Sequence, residues 1–575
     1  MLQRLESLAE DAAYDVIVLG AGGAGMAAAL FAAIEGQRVL LVERTEFLGG
    51  TTAWSAATTW VPNTQHAEGT GDSPDQAASF LDHAVGNHAG AALRQAFLEA
   101  GPQAIACLEA QTDVKFRARP LHPDYIQEVP GAVLRGRALE PLPFDGRALG
   151  ELFPLLRPPI PEFTVLGGMM VDRDDIGHLL RLRQPGKPGF WQSAWQSGRH
   201  AARLLARHAL DRLRGPRGTR LVMGNALAGR LLLSLARRGV DILVSTRTEA
   251  LLREAGRVIG LVMTQAGPRR QVMARRGVIL ATGGFNRHPT RRAEMLPQPT
   301  PQFSPAAPGH TGEMHDLALE AGARYGEGGL DTAFWAPVSV RTRRDGSTAV
   351  FPHFVLDRGK PGIIAVNAAG RRFVNEATSY HLFARAMFQA HETVPSIPCF
   401  LVTDAEGIRK YGLGMVRPGG GGFGSFLAEG YLHQGATLAA LAGTLGVDAA
   451  GLEDTVARMN RFAEAGEDPD FGRGSTAYHR VNGDAAHGPN PNLGPIGTPP
   501  FYAVKLWPGD IGAATGLVTD TAARVLDGAD RPIPGLYAVG NDMHSIMGGA
   551  YPGPGITLGP GITFAWIAAR HISGH

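Results

Sequence analysis

Gly20, Gly22 and Gly25 form a Gly-x-Gly-x-x-Gly pattern, and an acid, Glu43, follows Gly25 by 18 residues. Residues of these types at this spacing suit dinucleotide binding. The glycines permit a tight turn and close approach of a pyrophosphate to a helix N-terminus, and the acid accepts a hydrogen bond from a ribose hydroxyl. With 76 glycines in 575 residues, one such match is expected by chance, so context decides. The apolar run Asp15-Val-Ile-Val-Leu19 precedes the glycines, a small-residue helix is expected over 26–35, and a second strand over 38–43. Gly23 and Ala24 complete the turn. A plain buried βαβ unit is the alternative. A second match at Gly419, Gly421 and Gly424 has no preceding strand and reads as a mobile loop.

Three further segments repeat the theme of glycine turns. Arg44 leads into Gly49-Gly50-Thr51-Thr52-Ala-Trp-Ser55, a turn crowded with small hydroxyls that suits a second stretch of a long cofactor. Gly277-Val-Ile-Leu-Ala281-Thr282-Gly283-Gly284 and Gly535-Leu-Tyr-Ala-Val-Gly540-Asn541-Asp542 each join a strand to small or polar residues. A nucleotide fold that returns to its cofactor near the C-terminus favours FAD over NAD.

Together these segments resemble the FAD-binding domain of the fumarate reductase and ketosteroid dehydrogenase flavoprotein superfamily, over nearly the whole chain. The resemblance implies an α/β protein with a discontinuous Rossmann-like FAD-binding domain, 1–297 and 505–575, interrupted by an α+β substrate-capping domain, 298–504. Covalently flavinylated members carry a His near the Gly-Gly-Thr turn; residues 49–60 here contain none, so FAD is expected to be held non-covalently.

The expected cap carries Gly370-Arg-Arg-Phe-Val-Asn375-Glu376-Ala-Thr-Ser-Tyr380. Soluble fumarate reductases resemble this segment but place an Arg at the fifth position after the Asn. A guanidinium suits a carboxylate; the phenol of Tyr380 suits proton traffic beside a ketone. The stretch Ser545-Ile-Met-Gly-Gly-Ala-Tyr551-Pro-Gly-Pro-Gly555-Ile556 is similar to the signature of 3-ketosteroid Δ1-dehydrogenases, in which the Tyr hydroxyl and the last Gly N–H bind the substrate's ketone. Two aimed donors there stabilise the charge that develops on oxygen when a neighbouring proton leaves. Tyr125, in Pro123-Asp-Tyr125-Ile126, is similar to the family's helper Tyr, although the family often has a second aromatic where Ile126 stands. Tyr478 is expected to shape a pocket or pack.

The implied reaction is desaturation of a 3-ketosteroid at the 1,2 bond: Tyr551 and Gly555 polarise the ketone, Tyr380 takes the α proton, and hydride passes to flavin N5. A free phenol titrates near 10, so Tyr380 needs a lowered pKa or a relay through Tyr125. Alternatives are dehydrogenation at the 4,5 bond, a fumarate- or urocanate-type ene-reductase, and a non-enzymatic flavoprotein.

Composition narrows the remaining field. Lys plus Arg number 55 against 53 acids, which offers no global case for nucleic acid. Two cysteines, Cys107 and Cys399, cannot supply a disulfide framework, a four-Cys zinc site or an iron–sulfur cluster, and no metal is expected. Neither Gly-x-Ser-x-Gly nor His-Glu-x-x-His occurs, which sets hydrolases aside. Electrons are therefore expected to leave to an external acceptor, a quinone or a dye. The early acids and the glycine-interrupted apolar run 16–34 argue against a signal peptide and a spanning helix. The expected location is the cytoplasm.

One segment departs from neutrality. Residues 176–240 hold thirteen Lys or Arg and a single acid, Asp211, together with Phe190, Trp191 and Trp195. Arg199, Arg203 and Arg207 recur every fourth residue, while Ala202, Leu205, Ala209 and Leu213 line another helical face. A basic amphipathic helix with aromatics fits peripheral contact at the inner face of a membrane. A solvated helix packed on its own domain is the alternative.

Overall fold

The computed structural model describes residues 2–181, 190–354, 357–419 and 421–575, excluding the side chains of 179–181 and 190–193. Its first sheet is built on Ala13–Leu19, which pairs in parallel with Val39–Val42 on one side and Arg269–Leu280 on the other. Asp241–Leu243 extends the sheet beyond Val39–Val42, and Pro532–Ala538 extends it beyond Arg269–Leu280, both in parallel. Val39–Val42 is buried at every residue, as expected of a parallel strand covered on both faces. The helix Gly23–Ile34 is mostly Ala and Gly, and it packs against Leu558–Ser573 and Met223–Arg237. An antiparallel pair, Arg247–Glu254 and Arg257–Thr264, is added to the Arg269–Leu280 strand.

The second sheet is antiparallel, in the order Thr348–Pro352, Ala333–Thr342, Phe501–Ala513, Cys399–Thr403, Ile363–Val366, with Leu432–Gly435 also paired to Phe501–Ala513. Its two faces bury separate clusters. Ile363 and Ala365 join one, and Ile364 and Val366 join the other, the alternation a strand imposes on its side chains. The boundary expected at 504/505 falls inside Phe501–Ala513, all of which belongs to this second sheet. Gly424 lies in a short helix, Phe423–Ala428, where the second glycine match led us to expect a loop. The run 16–34 is strand, turn and helix, and among the described residues no helix is long and apolar enough to cross a membrane. No group of metal-ligating side chains occurs among the described residues.

Candidate active site

Gly22 caps the helix Gly23–Ile34 in an extended conformation, with no side-chain cap and no acid in the first turn. Thr52 Oγ1 accepts the Gly23 N–H at 3.0 Å. A Cβ on Gly22 would meet nothing within 4 Å, so open space lies over the N-terminus. Gly50 stands at φ +49°, and a Cβ there would come within 3.1 Å of Gly22 Cα, so the two glycine turns approach backbone to backbone. Glu43 is buried; Oε2 accepts the Ala21 N–H at 3.0 Å, and Oε1 accepts the Thr45 N–H at 2.9 Å. The Thr45 hydroxyl also donates to Oε1, at 2.8 Å, and since a carboxylate has about four acceptor positions, capacity for one ribose hydroxyl is left. Glu43, Gly20, Arg44, Thr282, Thr246 and Met314 line one cleft. Open backbone donors beside an acid-ended strand suit the ADP half of a dinucleotide.

Several of the other expected cofactor residues have side chains engaged by the chain itself. Arg44 pairs with Glu313 at 3.1 Å and donates to Thr311 Oγ1. Thr51 Oγ1 accepts the Ala307 N–H at 2.8 Å and lies 3.1 Å from His310 Nε2. Ser55 Oγ donates to Thr52 O and accepts the Ala57 N–H, both at 2.9 Å. Asp542 is fully buried and accepts from the N–H and hydroxyl of Thr282 and, at 2.9 Å, from the Gly284 N–H. His315 Nε2 lies 3.1 Å from the same carboxylate. Burial opposes the Asp542 charge, but His315 and the Thr282 donors win and hold its pKa below the usual carboxylate range. Ala281 N–H bonds Leu19 O, and Gly283 faces the His310 ring. Gly540 meets Ala24, Asn541 stands against Gly284 and Gly512, and Ile556 is buried.

Tyr125, Tyr380 and Tyr551 converge. The Tyr125 hydroxyl donates to the Tyr380 oxygen at 3.2 Å. The Tyr380 and Tyr551 rings are 5.2 Å apart and edge-on; Tyr125 stacks on Tyr551 at 5.9 Å. Tyr380 opens the helix Tyr380–His391, whose cap is Ser379: its hydroxyl accepts the Leu382 N–H. Just upstream, Asn375 Oδ1 accepts the Ala377 N–H, and Arg372 and Arg473 clamp the buried Glu376. Tyr125 is held by its own N–H, which donates to Pro552 O at 2.8 Å. Its neighbour Asp124 accepts from Trp60 Nε1 at 2.8 Å and from Arg137 at 2.9 Å. Gly555 sits at φ +95°, where a Cβ would strike Thr58 O at 2.1 Å. Its carbonyl accepts the Trp60 N–H, while its own N–H has no acceptor among the described residues.

The electrostatics run against an easily ionised phenol. Burial raises Tyr380 well above its ordinary value, and the neighbouring phenols Tyr125 and Tyr551 add to this. Burial likewise pushes Tyr551 up to about 12, against contacts with the Tyr380 and Thr557 hydroxyls. The lowered pKa expected of Tyr380 is therefore absent, and the Tyr125 hydrogen bond is the relay that remains.

Four residues without a sequence motif complete the site. Tyr478 packs its ring 4.8 Å from Tyr125, and its buried hydroxyl has no partner among the described residues. Arg358 is buried and donates to the carbonyls of His353, Glu376 and Thr378, bracing the segment before Tyr380. Its charge acts on Tyr125 and Tyr478, lowering both against burial. His310 is buried with Nδ1 unpartnered, and burial lowers it to about 4, so it is neutral at pH 7. The one available sequence signal was the turn Pro308-Gly309-His310-Thr311-Gly312, another small-residue turn like that at 49–52. Arg173 is exposed, makes no hydrogen bond or ion pair among the described residues, and acts electrostatically on Tyr125 and Tyr478.

Comparison with known proteins adds four findings. The family model described as FAD binding domain matches residues 15–558. The chain is 38% identical over 565 residues to 4-oxocyclohex-2-ene-1-carboxylate 5-dehydrogenase of Sinomonas cyclohexanicum, covering 98% of this chain and 94% of that one. It is 35% identical over 575 residues to 3-oxosteroid 1-dehydrogenase of Mycobacterium tuberculosis, covering 97% and 98%. Among solved structures it is similar to 3-ketosteroid delta1-dehydrogenase from Sterolibacterium denitrificans in complex with 1,4-androstadiene-3,17-dione. There the TM-score is 0.90 at 36% identity, covering 98% of this chain and 99% of that one.

Proposed function

The chain belongs to the FAD binding domain family, and from that premise we propose that it desaturates a 3-ketosteroid at the 1,2 bond. The observation that carries this reading is the Tyr125–Tyr380 hydrogen bond beside the Tyr551 ring. The Tyr551 hydroxyl and the free Gly555 N–H donate to the ketone oxygen, where negative charge grows as the α proton leaves. Tyr380, as the phenolate, takes that proton and becomes the neutral phenol, and Tyr125 donates a hydrogen bond to the same oxygen. FAD, held non-covalently, supplies the two-electron acceptor. The proposed cofactor residues are Gly20, Gly22, Gly23, Ala24, Gly25, Glu43, Arg44, Gly50, Thr51, Thr52, Ser55, Ala281, Thr282, Gly283, Gly540, Asn541, Asp542 and Ile556. A quinone is the external acceptor, and the basic segment 176–240 makes a peripheral membrane contact. The first sheet forms the cofactor domain and the second sheet the cap.

The deciding experiment is anaerobic bleaching of the purified yellow protein by 3-ketosteroids, monocyclic ketones and dicarboxylates. Bleaching by a ketosteroid is expected; bleaching by dicarboxylates alone would overturn the reading.

Arg173 favours a second reading, a cyclic ketone that carries a carboxylate. An unpaired guanidinium near Tyr125 and Tyr478 suits a carboxylate on the far side of a small ring. Arg173→Gln would then raise KM for 4-oxocyclohexanecarboxylate about tenfold or more, the loss of a charge-assisted hydrogen bond, and leave KM for a neutral steroid unchanged.

A further inference from the structure

The helix Phe190–Arg212 is mounted with its polar side inward. His200 Nε2 meets Asp175 at 2.8 Å, and His208 Nε2 meets Leu166 O at 2.9 Å. Arg207 donates to Asp145 at 2.7 Å, and Asp211 accepts the N–H and hydroxyl of Thr219 at 2.7 and 2.8 Å. The inner face is thus polar and bonded to the rest of the domain, with Arg207 Nε and His208 Nδ1 left without hydrogen-bond partners among the described residues. The apolar residues point the other way: Trp195 is 64% exposed, Leu205 47%, Leu210 60% and Leu213 83%, and Ala202, Ala206 and Ala209 are exposed between them. At 3.6 residues per turn, Trp195, Ala202, Ala206, Ala209 and Leu213 fall along one stripe. The expected apolar face therefore exists but packs against nothing among the described residues. The side chains of Phe190 and Trp191 lie outside those described.

A helix that packs on its own domain in water shows the opposite arrangement, apolar side in and charged side out. The exposed stripe is also not an isolated accident. Of the ten large apolar side chains left exposed among the described residues, six lie between Leu166 and Leu213. Cations border it. Arg199 and Arg203 are exposed on the helix, Arg199 lying 4.7 Å over the Trp195 ring, and Arg214 follows just beyond it. None of the three makes an ion pair among the described residues. A second copy of this chain on the same face would oppose arginine to arginine, whereas an anionic lipid surface complements them.

We infer that Trp195, Leu205, Leu210 and Leu213 insert into the interface of an anionic membrane, with Arg199, Arg203 and Arg214 at the level of the lipid phosphates. Such a face enters the headgroup–acyl boundary by roughly 5–10 Å. The arginines supply the attraction that draws it there. The helix Arg173–Arg181, whose first residue acts on Tyr125 and Tyr478, packs against this one, so the contact lies on the same side of the molecule as the tyrosines. The inference gives residues to the peripheral contact proposed above. It does not depend on which ketone is used, so vesicle binding and turnover fail or stand separately.

The test is co-sedimentation of the full-length holoenzyme with phosphatidylcholine vesicles, with and without about a third phosphatidylglycerol, at low salt where surface charge is least screened. Binding to the anionic vesicles is expected, weakening as salt is raised. Leu205→Glu/Leu210→Glu/Leu213→Glu should reduce it at least about tenfold, since acids replace inserted side chains. Arg199→Gln/Arg203→Gln should flatten the salt dependence. Both variants should keep wild-type melting and turnover. Three results would overturn the inference: no wild-type binding at low salt, equal binding by the leucine variant, or a wild-type dimer in light scattering that this variant converts to monomer.

Discussion

Tyr125 donates its hydroxyl hydrogen to the oxygen of Tyr380, at 3.2 Å, across 255 residues of sequence. The direction matters. With Tyr125 as donor the Tyr380 oxygen accepts, and on the proposed mechanism that oxygen must take the proton from carbon, while burial and the adjacent phenols oppose its ionisation. Tyr380, as the phenolate, would then accept the substrate's proton and become the phenol, with Tyr125 holding its oxygen in position.

Tyr380→Phe should abolish bleaching by substrate, a loss on the order of 10²–10⁴-fold or more, while the yellow colour of bound FAD persists. Tyr125→Phe should lose less, about 10–100-fold for one hydrogen bond to a charged group. Stopped-flow absorbance under nitrogen measures both. Full activity of Tyr380→Phe would refute the assignment.

The pH dependence follows from the burial of Tyr380. Its folded-state pKa is raised well above the ordinary value, so the neutral phenol dominates at physiological pH. The competent base is the phenolate, whose fraction rises about tenfold per pH unit below the pKa. kcat/KM should climb between about pH 7 and pH 9 without a plateau. A flat profile across neutrality would assign the base to another group.

Tyr551→Phe removes one of two donors to the ketone oxygen. A loss of about 10²–10³-fold in kcat is expected, with KM changed little, because the donor acts on charge that exists only in the transition state. Equal loss in KM and none in kcat would make Tyr551 a binding group instead.

Asp542 gives a stability prediction with a definite sign. Its folded pKa is lowered, so its contribution is present above the unfolded value, about 3.9, and is lost as pH falls through the folded one. Asp542→Asn should lose roughly 1.5–3 kcal/mol at pH 7, and the gap in melting temperature should close as pH is lowered below about 4. A gap that persists unchanged in acid would show that shape, rather than charge, is what the carboxylate contributes.

What was legible in the sequence follows the range of the interactions. Gly20, Gly22, Gly25 and Glu43 lie within one βαβ unit, so spacing read together with the flanking strands and helix places them, and those elements form where expected. The convergence of Tyr125, Tyr380 and Tyr551 was legible only through resemblance, since no local pattern joins residues so far apart. His315 behind Asp542 and Arg358 behind Tyr380 carried no signal, because a lone polar side chain reveals its partner only after folding. The helix Phe190–Arg212 was legible as amphipathic, but which face turns inward depends on Asp145, Asp175 and Thr219, supplied from other elements. The boundary expected at 504/505 falls within a strand because Phe501–Ala513 is buried at most of its residues, with no break in pattern to mark a domain edge.

The strand Pro532–Ala538 and the helix Leu558–Ser573 close the first sheet against segments made more than 250 residues earlier. The helix that covers Gly23–Ile34, and the loop that carries Tyr551, therefore emerge from the ribosome long after the segments they pack on. Until they arrive, the earlier elements expose an apolar helix and an unpaired parallel strand edge, the kind of surface on which wrong pairings form during synthesis.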